Sequence, residues 1–129
     1  MKIRSIKETC LYIRDLKRAM DFYHGDLGLS VINYVPEKHL FLRAGTSVLL
    51  CFNPDDSRQK QSPPAHYAEG KQHLAFEVSQ FDYFEIKQKI SDRVKIVDEV
   101  IWESGRESFY FEDPEGNVLE IVPDVGIWD

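Results

Sequence analysis

The chain has 129 residues, with 16 Lys plus Arg against 22 Asp plus Glu and a net charge of −6 at pH 7. That length suits one compact domain able to hide roughly two-thirds of its unfolded surface without disulfide or metal staples. The acidic balance and scattered basic residues give no field for phosphates or anionic lipid, so neither nucleic acid nor a membrane is expected as a partner. The apolar run Val48–Phe52 is five residues against the roughly 18 of a membrane span. Met1-Lys2-Ile3-Arg4 opens no signal peptide, and the chain reads as cytoplasmic. Cys10 and Cys51 sit in apolar stretches and read as small core residues in a reducing compartment.

In chain order, Glu8–Ile13 reads as a strand covered on both faces. Leu16, Ala19, Met20, Phe22, Tyr23 and Leu27 then fall at helical spacing, with Asp15 as N-cap and Gly28 as the stop. Ser30–Tyr34, Leu40–Arg43 and Ser47–Phe52 read as three strands divided by turn residues. From Asn53 to Gln72, Pro54, Asp55, Asp56, Ser57, Pro63, Pro64 and Gly70 break any period, as a surface connection does. The pattern then restarts. His73–Val78 is a strand and Phe81–Ile90 a helix; Val94–Val97 and Val100–Trp102 follow as two strands or one bent strand. Ser108–Phe111, the turn Asp113–Asn117 and the strand Val118–Val122 complete the chain.

Both halves therefore read β-α-β-β-β, and an offset of 65 residues lays Glu8 on His73 and Asp15 on Gln80. The expected division is a first module of about 1–54, a linker of about 55–71 and a second module of about 72–129, within one α+β domain.

Strand alternation puts Glu8, Cys10 and Tyr12 on one face and Thr9, Leu11 and Ile13 on the other, the second set being the better helix-facing surface. By the same rule His73, Ala75 and Glu77 oppose Leu74, Phe76 and Val78, while Glu120 opposes Leu119 and Ile121. Read singly, Glu8 is a solvated strand end, His73 a hydrogen-bonded edge residue and Glu120 an outward residue of a half-buried strand. Read together, one imidazole and two carboxylates projecting from apolar strands would call for a cation. The set suits Zn, Ni, Co, Mn or Fe(II) without selecting among them.

Asp15-Leu16, Phe22-Tyr23, Leu27-Gly28-Leu29, the stretch Gly70–Val78 and above all Phe109–Glu120, with its closing Asp-Pro-Glu-Gly-Asn-x-x-Glu, span nearly the whole chain. Together they resemble the vicinal oxygen chelate superfamily of glyoxalases, bleomycin-binding proteins, fosfomycin-modifying thiol transferases and extradiol dioxygenases. The resemblance implies two βαβββ modules, paired edge to edge, whose sheets curve into a cleft. It also implies a divalent metal ion held by Glu8, where many members have His, by His73 and by Glu120. Lyase-type glyoxalases add a fourth ligand where this chain has Leu49-Leu50-Cys51, which counts against a plain glyoxalase I. Glu8 breaks the two-His, one-carboxylate set of the dioxygenases.

The implied activity is Lewis-acid stabilisation of an oxyanion on a small oxygen-chelating substrate, of lyase, isomerase or thiol-transferase type, with Glu120 and Tyr110 catalytic. The alternatives are a metal-free, bleomycin-resistance-like binding protein and an extradiol-type dioxygenase. The thiol transferases carry a similar Ser-Phe-Tyr-Phe stretch, which turns Ser108 and Tyr110 toward the cleft; Tyr110 reads equally as packing. Cys10, on the face of Glu8, is either a neighbour of the substrate or a core filler. His66 and Arg106 lie in loops suited to closing the cleft, Arg106 as an anion clamp or both as ordinary polar loop residues. A homodimer is expected, from the sheet edges and from the apolar Trp102, Val125, Ile127 and Trp128. The expected partner is a small-molecule substrate.

Overall fold

The computed structural model describes residues 1–129, and the chain divides into two compact units, Met1–Gly70 and Lys71–Asp129. Unit 1 contains β1 (Glu8–Tyr12), α1 (Leu16–Met20), β2 (Ser30–Val35), β3 (His39–Ala44), β4 (Ser47–Phe52) and a short α2 (Pro54–Ser57). Unit 2 contains β5 (His73–Val78), α3 (Tyr83–Ser91), β6 (Ile96–Ile101), β7 (Glu107–Glu112) and β8 (Val118–Pro123). Each unit builds one four-stranded mixed sheet, in the orders β1-β4-β3-β2 and β5-β8-β7-β6. In both, the first strand pairs parallel with the last and the remaining pairs are antiparallel. The βαβββ repeat read from the sequence is therefore an architectural repeat, and the α+β class holds.

Unit 1 is closed by the apolar stripe after Asp15, whose carboxylate accepts from Arg18 N–H at 3.0 Å as an N-cap. Leu16, Ala19, Phe22 and Tyr23 are buried, as are Leu11, Ile13, Leu40, Leu42, Leu49 and Cys51 of the strand side. Burying each large side chain contributes about 1.5–3 kcal/mol. The expected single helix differs in its second half. Residues Asp21–Asp26 form a π-helix, in which Leu27 N–H reaches back five residues to Phe22 C=O at 3.0 Å. The apolar spacing is the same for either turn, so only the backbone bonds reveal it.

In unit 2 the core is Tyr83 and Ile90 of α3 with Phe109, Phe111, Leu119 and Ile121 of the sheet. Helix α3 starts at Tyr83, later than the apolar pattern indicated, which leaves Phe81 outside it and exposed. The helix is also held by polar bonds. Glu107 accepts from Tyr83 Oη at 2.9 Å and from Lys87 Nζ at 2.7 Å, while Lys87 reaches Glu99 at 3.0 Å. Burial foremost, then the bond to Glu107, pushes the Tyr83 phenol well above its ordinary range, so it stays a neutral donor. The two strand signals near Val94–Trp102 form the single strand β6, whose register shifts between Ile96 and Asp98. Residue 97 is the extra residue of a bulge, which explains why two short apolar runs belong to one strand.

The turn Asp113–Asn117 decides where β5 sits. Asp113 is buried and accepts from Glu115 N–H at 2.9 Å, Asn117 N–H at 2.9 Å and Asn117 Nδ2 at 3.0 Å. Asn117 Oδ1 then accepts from Gln72 N–H at 3.1 Å, and Val118 N–H donates to Gln72 C=O at 2.8 Å. The residue before His73 is thus clamped to the residue before β8. Asn117→Ala removes that clamp and strands buried groups on Asp113, for an expected loss of about 1–3 kcal/mol. Urea denaturation should show the midpoint falling with the slope unchanged, whereas an unchanged midpoint would deny the turn this role.

Candidate functional site

In unit 2 the rungs of the sheet set the site. His73 pairs with Val118, Ala75 with Glu120, and Glu120 in turn with Tyr110. Leu119 and Ile121 turn to the core, so Glu120 and Tyr110 project from the opposite face. There His73 Nε2 lies 3.4 Å from Glu120 Oε1, with the imidazole half-exposed and the carboxylate nearly buried at 9%. The other ring nitrogen, Nδ1, is 2.9 Å from Val118 C=O. A carbonyl only accepts, so Nδ1 carries a proton, and Nε2 faces a carboxylate oxygen. That contact needs a proton or a cation between the nitrogen and the carboxylate. A backbone carbonyl fixing one nitrogen of an imidazole is the support that metal-ligating histidines usually have. The donor set fits a divalent ion.

Tyr110 stands opposite Glu120 in register and shares strand parity with Ser108. Burial foremost raises the pKa of its phenol; the nearby Glu120 and the charge of Asp98 add to this, and Ser108 opposes it. Ser108 is fully buried and accepts from Trp102 Nε1 at 3.0 Å. The expected pair Ser108 and Tyr110 thus stands on the face of Glu120, joined by Trp102, which the sequence presented only as an exposed aromatic.

Arg106 lies beyond the other end of β7. Its Nη2 donates to Gln80 Oε1 at 2.6 Å. The C-terminal segment packs against its stem so closely that a Cβ on Gly126 would lie 2.5 Å from Arg106 Cγ. The guanidinium is engaged far along the strand from the His73 rung.

In unit 1 the pairings Glu8 with Val48, Cys10 with Leu50 and Tyr12 with Phe52 set those residues on one face, together with Phe41 and His39 of β3. Glu8 is exposed at the strand start and Cys10 is half-buried, while Leu11 and Ile13 fill the core as the alternation required. Burial, then the charge of Glu8, pushes the Cys10 thiol up, which keeps it protonated and poorly nucleophilic. His66 closes the far end of this face. Its Nδ1 is 2.8 Å from Tyr12 Oη, and its ring meets Phe52 edge-on at 4.6 Å. Ser57 Oγ holds the His66 carbonyl at 2.6 Å. The connecting segment is tied again where Arg14 bonds Asp55 at 3.1 Å and Glu69 at 2.9 Å, which holds both carboxyls below their usual range. His39 stacks on Phe41 at 4.0 Å and bonds Asn33 at 2.6 Å.

Neither unit by itself brings three His, Cys, Asp or Glu side chains around one point. Unit 2 supplies a facing His–Glu pair and unit 1 an open face bearing Glu8. No helix is long and apolar enough to cross a membrane. The Val118 carbonyl, Trp102 and Tyr12 are the contributors that residue-type reasoning passed over. Of these, only Tyr12 carried a signal, its shared parity with Glu8.

Comparison with known proteins gives concordant results. Residues 5–121 match the family model described as Glyoxalase/Bleomycin resistance protein/Dioxygenase superfamily. A glutathione transferase FosA from Serratia marcescens is 28% identical over 123 residues, 92% of this chain and 80% of that protein. The crystal structure of a lactoylglutathione lyase from Agrobacterium tumefaciens superposes with a TM-score of 0.91 at 29% identity, covering 96% of each chain. A virulence protein from Salmonella typhimurium shares the fold, with a TM-score of 0.76 at 23% identity over 97% of this chain and 100% of that one.

Tyr12→Phe keeps the ring packing and removes the phenol that bonds His66, a bond worth about 1 kcal/mol. Backbone amides around His66 should then exchange with deuterium roughly fivefold faster while those of β4 stay unchanged. Unchanged exchange at residues 58–70 would show that the tie to Ser57 suffices.

Proposed function

We propose, from the premise that the chain belongs to the Glyoxalase/Bleomycin resistance protein/Dioxygenase superfamily, that it is a divalent-metal-dependent enzyme acting on a small oxygen-chelating substrate by Lewis-acid catalysis. The carrying observation is the His73 ring, its Nδ1 proton held by Val118 C=O and its Nε2 facing Glu120 Oε1 at 3.4 Å. In this reading His73 and Glu120 are ligands, and Glu8 is the third by family resemblance. The ion, Zn, Ni, Co, Mn or Fe, supplies charge to stabilise an oxyanion developing on substrate.

The chain's own residues do the rest. Tyr110, opposite Glu120 in register and with its phenol pKa raised foremost by burial, offers a proton near that carboxylate. Cys10 with its protonated thiol and the Tyr12–His66 pair line the substrate side of unit 1. Arg106 has the weakest support as an anion clamp, because Gln80 holds it. Both relatives have names containing glutathione, which favours a thiol-transferase or lyase acting on a glutathione adduct, or on glutathione with a small electrophile, over dioxygenase chemistry. The aromatic lining by Tyr12, Phe41 and Phe52 favours the second reading, a metal-free protein that sequesters a flat ligand.

Cys10 and Cys51, neither of them in a disulfide, support a reducing, cytoplasmic setting. A homodimer is part of the proposal, since Trp128 is 94% exposed and Val125 and Trp102 are partly exposed.

Metal content after purification without chelators, followed by titration with Zn²⁺ or Mn²⁺, tests the reading. His73→Ala should weaken affinity by more than the 10- to 100-fold typical of losing an outer-shell partner; Cys10→Ser should change it less than about twofold. No ion retained or taken up by the wild type would leave the sequestering protein as the reading.

A further inference from the structure

We propose that Arg14 is a positioning residue: one guanidinium grips both ends of the connecting segment, and that double grip holds His66 against Tyr12 on the open face of unit 1. The consequence for a substrate rests on the reading of that face as the substrate side, whereas the grip itself is measured without substrate or metal.

The segment is anchored only near its two ends. Pro54 and Ser57 are buried at its start, while residues 58, 59 and 61–65 are exposed. At the half-buried His66 the chain returns to the sheet. Ser57 Oγ donates to His66 C=O at 2.6 Å and His66 N–H to Ser57 C=O at 3.4 Å, which fixes the backbone there. The ring is set by its own neighbours. Its Nδ1 lies 2.8 Å from Tyr12 Oη, and Phe52 meets it edge-on at 4.6 Å.

Arg14 stands two residues beyond Tyr12. The side edge of its guanidinium, Nε and Nη2, donates to the two oxygens of Asp55 at 3.1 and 3.2 Å. The end edge, Nη2 again with Nη1, donates to those of Glu69 at 2.9 and 3.5 Å. Asp55 precedes Ser57 and Glu69 follows His66, so the fork spans the stretch that carries the imidazole. Arg58 adds charge 3.8 Å from Glu69 and lies over the Tyr67 ring at 4.1 Å. A single exposed ion pair contributes little, because ordering two long side chains offsets the attraction. Here the second carboxylate meets a guanidinium that the first has already ordered, and each pair is bidentate. Lysine offers a point charge without flat edges, so it cannot meet both carboxylates in this way. With either carboxylate released, the segment turns about its other end, and the contact of His66 with Tyr12 loosens. Arg14 thus acts on His66 through the segment.

The test combines amide exchange over residues 58–68 with the ring signals of His66 in ¹H–¹⁵N spectra of the full chain. Arg14→Gln should speed that exchange about tenfold, leave Leu49–Phe52 of β4 unchanged, and move the His66 ring signals toward their positions in Tyr12→Phe. Arg14→Lys should do nearly the same. Asp55→Asn and Glu69→Gln should each act about as strongly as Arg14→Gln, and the two together no further, because one released end undoes the grip. Exchange factors that multiply in the double variant would overturn the proposal, since the pairs would then be independent. Unmoved His66 ring signals in Arg14→Gln would overturn it as well, because Tyr12 and Ser57 would hold the ring alone. So would wild-type behaviour of Arg14→Lys, or equally faster exchange in β4, which marks a general loss of stability. Absence of metal uptake by the wild type bears on the proposed function alone and leaves these measurements to decide on Arg14.

Discussion

The bonds converging on Asp113 and Asn117 are the constraint from which the unit 2 site follows. Asp113 gathers the turn, and Asn117 passes its grip to Gln72. That last bond joins the end of the β7–β8 turn to the start of β5, forty-five residues apart in sequence. It sets the register in which His73 meets Val118 and Ala75 meets Glu120. A slip of one residue would turn Glu120 into the core beside Phe109 and Phe111, and Leu119 and Ile121 out of it; an unpaired carboxylate there costs several kcal/mol. Register is therefore doubly specified, by the polar clamp and by the cost of the alternative.

Once the register is set, the site's polarity is a matter of which groups can donate. The Val118 carbonyl holds the Nδ1 proton of His73, and the indole of Trp102 donates to the buried Ser108. The Glu120 carboxylate faces Nε2 of the imidazole, and Tyr110 stands opposite it in register. The same sheet face in unit 1 is organised differently: Tyr12, Phe52 and His66 form an aromatic end, and Cys10 stays protonated beside Glu8.

Much of this was legible in the residues. The β-branched and apolar runs marked the strands, Asp15 marked the helix start, and parity alone separated Glu8, Cys10 and Tyr12 from the buried Leu11 and Ile13. Glu120 between Leu119 and Ile121 was a carboxylate on the non-core face by the same rule. Other features had no linear signal. The π turn after Met20 has the same apolar spacing as an α-helix, and α2 is too short and too rich in Pro and Asp to stand out. The bulge at residue 97 split one strand into two signals. The bonds of His73 to Val118 and of Trp102 to Ser108 depend on neighbours brought by pairing between β5 and β8 and between β6 and β7, which no local pattern encodes.

The most direct measurement of the central claim is paramagnetic broadening of backbone amide signals by substoichiometric Mn²⁺. Signals of His73, Val118, Glu120 and Tyr110 should vanish first, joined by those around Glu8 if it is the third ligand, while the exposed acidic pair Asp55 and Glu69 stays sharp. Early loss at Asp55 and Glu69 with the β5–β8 rung unaffected would contradict the account, because the ion would then follow surface charge and not the His73–Glu120 pair.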